Sequence, residues 1–68
     1  MAKKWPGSTR CSFCGDDVRQ HETFFDATTR FGHWALMCDN CFFINGQGRI
    51  GVGRGQKYDG KTLEKIGG

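Results

Sequence analysis

The chain has 68 residues, with 37% apolar and 25% charged side chains, 11 glycines, one proline and four cysteines. A chain this short forms one domain at most and buries only about 60% of the surface its unfolded form exposes, so its core calls for an added staple. The length excludes a (β/α) barrel or a doubly wound sheet, and no uncharged apolar run approaches the roughly 20 residues of a membrane-spanning helix.

The formal charge of +3 is unevenly spread. Residues 1–10 hold three bases, residues 11–45 hold two bases against five acids, and residues 46–68 hold five bases against two acids. Basic ends therefore flank an acidic centre. Residues 1–9 read as a basic N-terminal tail carrying Lys3, Lys4 and Trp5. The Lys3-Lys4 pair has no apolar stretch behind it, which gives no secretory leader and the expectation of a cytoplasmic protein.

Next come Cys11-Ser12-Phe13-Cys14 and, 23 residues later, Cys38-Asp39-Asn40-Cys41. Two residues between cysteines let both sulfurs of a tight turn converge on one metal, and two such pairs complete the tetrahedron that Zn²⁺ prefers. Four thiolates leave no open coordination position, so the metal would be structural. One Zn²⁺ with four thiolates adds −2, bringing the loaded chain near +1. Gly15 suits the positive φ that follows a knuckle, whereas Phe42 stands after the second pair. Cys38 and Cys41 are therefore expected to open a helix, with Asp39 and Asn40 as helix-initiating residues. Competing readings are two disulfides, a redox dithiol, or iron held in the same four sulfurs. His21 and His33 are the alternative ligands by type, expected instead on the hairpin surface or in a hydrogen bond to the ligand sphere.

Residues 21–28 and 31–37 are two β-prone runs around a polar centre, a hairpin pattern. Period-two alternation puts Trp34 and Leu36 on the face of Cys38. Residues 39–45 make about two helical turns, with Gly46 expected as the C′ glycine. Phe42 and Phe43, with Trp5, are candidate protein-binding anchors. The run 46–58 is glycine-rich and basic, and its Arg49, Arg54, Lys57 and Tyr58 are candidate nucleic-acid contacts through phosphate and stacking. Its G-x-G-x-x-G match at Gly46, Gly48 and Gly51 lacks a preceding strand and a following helix, so it carries no nucleotide reading. Asp59-Gly60 between Gln56–Tyr58 and Thr62–Ile66 predicts a second small hairpin.

Cys11, Cys14 and Gly15, the strand Trp34 to Met37, and Cys38 with Cys41 together resemble a treble-clef zinc finger, of a kind seen among small bacterial and phage reading frames. The resemblance implies a small metal-stabilised α+β fold: knuckle, β-hairpin and short helix over residues 10–46, then a Gly-rich basic segment over 47–68. A zinc ribbon is the alternative. The acids Asp16, Asp17 and Glu22 follow the knuckle in a polar stretch without a pocket, and no nucleophile motif is present, so no enzyme and no small-molecule substrate are expected. The expected partner is nucleic acid or a nucleic-acid-handling complex, and the alternative is a protein module that modulates a larger host complex.

Overall fold

The computed structural model describes residues 4–51 and 53–68. Its elements are β1 (Thr23–Thr28), β2 (Trp34–Cys38), α1 (Asp39–Asn45), β3 (Gly55–Asp59) and β4 (Lys65–Gly67), with one 3₁₀ turn at Val18–Gln20. The strands form one antiparallel sheet in the order β2-β1-β3-β4, giving a small α+β fold.

Period-two alternation sorts the strands into two faces. Phe24, Asp26 and Thr28 of β1 stand opposite Cys38, Leu36 and Trp34 of β2, and Phe24 and Asp26 also stand opposite Tyr58 and Gln56 of β3. Trp5 covers this face, edge-on to Phe24 at 6.2 Å and to Tyr58 at 5.4 Å. Phe25 and Ala27 share the other face with Met37 and Ala35, and α1 lies there, with Phe42 stacked on Phe25 at 3.9 Å. Phe24, Met37, Val18 and Ala27 are fully enclosed between these layers.

Both expected hairpins form, and α1 spans the expected residues. The first hairpin's loop takes residues 29–33, because Gly32 adopts φ +95° and Thr29 is wholly buried, its N–H donating to the His33 carbonyl at 2.7 Å. Gly46 corrects the expectation of a C′ glycine. Its φ of −79° is extended, and it is needed for room, since a β-carbon would lie 2.6 Å from the Phe42 ring. In the second hairpin the Asp59 carboxylate accepts from the N–H groups of Lys61 and Thr62, and the positive φ falls on Leu63 rather than Gly60.

β3, from the Gly-rich segment, pairs with β1 of the cysteine-bearing segment, so one sheet joins the two. Residues 4 and 5 are bound to the second hairpin: Lys4 forms a backbone β-bridge with Glu64, and the Trp5 N–H donates to the Leu63 carbonyl at 2.7 Å. Among the described residues no helix is long and apolar enough to cross a membrane.

Candidate metal centre

The turn Cys11–Gly15 closes through the Gly15 N–H donating to the Cys11 carbonyl at 3.1 Å, and Gly15 adopts φ +79° as its sequence position predicts. The turn is tied to the sheet edge, where the Ser12 N–H donates to the Leu36 carbonyl at 2.8 Å. Cys38 ends β2 and is also the N-cap of α1, with its sulfur accepting from the Cys41 N–H at 3.5 Å. Cys41 therefore lies one turn into the helix, on the same side as its cap. This junction of strand and helix brings the second pair to the first.

The four sulfurs gather within 4.8 Å of one another. Cys14 and Cys38 sulfurs stand 3.8 Å apart, and bonds of about 2.3 Å in a tetrahedron separate sulfurs by about 3.8 Å. The donor set therefore fits one tetrahedral metal ion. All four cysteines are free thiols; Cys11, Cys38 and Cys41 are buried and Cys14 is exposed.

Burial raises the Cys11 thiol, but the N–H groups of Cys14, Cys38 and Phe13 offset it and bring it down to about 6. Burial pushes Cys38 and Cys41 up, and neighbouring sulfurs push Cys41 further. One thiolate is thus favoured by backbone donors while two stay protonated until a cation replaces the protons.

His21 stands beside this cluster. Its Nδ1 lies 3.1 Å from Asp39 Oδ1 and its Nε2 3.5 Å from Asp16 Oδ2, and its ring groups with Cys38 and Asp39 as neighbouring donor atoms. It therefore touches the ligand sphere through the residue following Cys38. Asp39 Oδ1 also accepts from the Asn40 N–H at 2.7 Å. Nothing in the spacing of the sequence points to Asp39 as the partner of His21, because the contact joins two elements 18 residues apart.

The other candidate residues are scattered. Arg49 and Arg54 are exposed in the glycine-rich loop, and Lys57 is half-buried with its Nζ 5.9 Å above the Phe25 ring. Tyr58, expected to offer a stacking face, is instead a core residue, 6% exposed, stacked on Phe24 at 5.2 Å, with its hydroxyl donating to Gln56 Oε1. Trp5 likewise packs inward and its indole N–H donates to the Ser8 carbonyl, and Phe42 is half-buried on β1. Of the three expected protein anchors only Phe43 is free, at 87% exposed.

No protein-family model, curated protein or solved structure matches this chain.

Proposed function

We propose that the chain is a non-catalytic module, treble-clef-like in the order knuckle, hairpin and helix, stapled by one structural Zn²⁺ on Cys11, Cys14, Cys38 and Cys41, and that it binds nucleic acid. Four thiolates in a tetrahedral arrangement favour Zn²⁺ over harder cations, and a closed shell leaves nothing for substrate to occupy. The observation that supports the nucleic-acid part is uncompensated charge. Arg49 and Arg54 are exposed and, among the described residues, neither has a carboxylate partner. Their loop is glycine-rich and admits a phosphate backbone at close range.

A protein-binding reading draws on Phe43 and Ile44, both exposed on α1. The test is native mass spectrometry with metal analysis, before and after addition of a short mixed-sequence nucleic acid at several salt concentrations. One zinc per chain and an adduct that weakens steeply with salt supports the proposal. A chain that folds with no metal, or that forms no adduct at low salt, overturns it.

A further inference from the structure

Phe13, Phe31 and His33 form a row of rings on the outside of the molecule. Phe13 and Phe31 centroids are 6.3 Å apart, and Phe31 and His33 lie near-parallel with centroids 6.4 Å apart. Phe13 is 39% exposed and Phe31 63%. Neither ring is a core residue displaced outward: Phe13 sits at the middle of the first cysteine turn and Phe31 at the tip of the first hairpin, where the backbone offers no layer to bury them. Two separate loops thus hold apolar rings against one another in water.

Cations flank the row. Arg10 lines the same shallow hollow as Phe13, Trp5 and Leu36, beside the exposed edge of the cysteine turn. Arg30 precedes Phe31 and is exposed. Neither arginine has a carboxylate partner among the described residues, while the nearby acids are engaged elsewhere, Asp17 with Arg19 at 2.8 Å and Asp16 with His21. Arg30 Nη1 donates to the Ile44 carbonyl at 3.5 Å, which steadies the guanidinium without neutralising it. Exposed rings flanked by guanidinium groups without carboxylate partners are the combination that stacks bases and holds phosphates of an unpaired strand. A duplex hides its base faces and would use only the charges.

We infer that the row Phe13–Phe31–His33, with Arg10 and Arg30, is a stacking track for single-stranded nucleic acid. The inference rests on the nucleic-acid reading above and moves the base contacts from the glycine-rich loop to the knuckle and hairpin tip. Arg49 and Arg54 then serve as phosphate contacts alone.

The test is fluorescence anisotropy with labelled 12-nucleotide single strands of thymidine and of uridine, and a duplex of equal length, against the metal-loaded full chain. Two double variants are compared with it, Phe13→Ala/Phe31→Ala and Arg49→Gln/Arg54→Gln. All are first checked for metal content and circular dichroism, and only variants that keep one metal ion and the parent's spectrum are compared. Stacking is worth about 1–3 kcal/mol per base, so the ring variant is expected to lose at least about 10-fold in single-strand affinity with little change in salt slope. The arginine variant is expected to lose affinity with a slope reduced by about 1 to 2. A ring variant that binds like the parent while the arginine variant does not overturns the track and leaves the nucleic-acid reading standing, as does a parent that prefers the duplex. A parent that binds none of the three probes at low salt overturns both.

Discussion

At Gly60 an added methyl group would run into the main chain of another segment. A β-carbon there collides with the His21 carbonyl oxygen and lies 3.0 Å from that of Val18, and the Gly60 N–H already donates to Glu22 at 2.9 Å. Backbone cannot move aside as a side chain can, so Gly60→Ala should lower stability by about 2–3 kcal/mol. Gly48 is the contrast. Its β-carbon would meet nothing within 4 Å, and only its φ of +72° resists substitution, so Gly48→Ala should cost about 1 kcal/mol. Urea titrations of the two metal-loaded variants separate them, and equal losses would mean that the 60s turn is not packed against the 3₁₀ turn. Asp17 supplies the acid response of the same region. The Arg19 side chain and N–H hold its carboxyl well below the usual range. A depressed folded-state value means its stabilisation is present above the unfolded value of about 3.9 and is lost as pH falls below it. The stability gap between the parent and Asp17→Asn, measured by thermal melts, should therefore narrow as pH drops from 6 towards 3; a gap independent of pH would refute the ion pair's role.

Helix α1 has seven residues, too few to persist alone in water. It is held at its start by Cys38 and Cys41 and along its side by the Phe42–Phe25 stack. Phe42→Ala should cost about 2 kcal/mol by lost burial and stacking, whereas Phe43→Ala, from a largely hydrated ring, should stay within about 0.5 kcal/mol. Chemical denaturation read by far-ultraviolet circular dichroism checks both. The bounds of this helix were legible because they are written locally: a cysteine followed by Asp39-Asn40 at one end and glycine at the other. The first hairpin was legible for the same reason, through alternation along each run. The place of β3 between β1 and β4 was not, because pairing Thr23 with Asp59 joins segments far apart in the chain and leaves no periodic signal in either. Tyr58 shows the consequence at a candidate site. A tyrosine among glycines and bases reads as a surface ring, and only its register opposite Phe24 puts it in the core. Phe31 shows the converse: it reads as the first residue of the second β-prone run, and only the start of β2 at Trp34 leaves it in the loop, beside Phe13.

At the scale of the whole molecule, the cysteine cluster is where the separate layers meet: the knuckle, the end of β2 and the start of α1 share it, and the knuckle also grips the β2 edge through Ser12. Removing the ion should therefore release the layers together rather than loosen one loop. Metal binding to such a site competes with protons. In the metal-free chain, whose layers have come apart, the thiols return towards the ordinary cysteine value of about 8.5 and are mostly protonated near pH 7. A metal that takes all four sulfurs as thiolates must then displace most of four protons. Its apparent affinity should rise with pH at a slope of about two or more near pH 7. Calorimetric zinc titrations in buffers of different ionisation enthalpy count the released protons directly, and Cys41→Ser should remove one of them along with most of the affinity. A proton count near zero would mean that the four sulfurs do not hold the ion as thiolates and that the ion does not staple the layers.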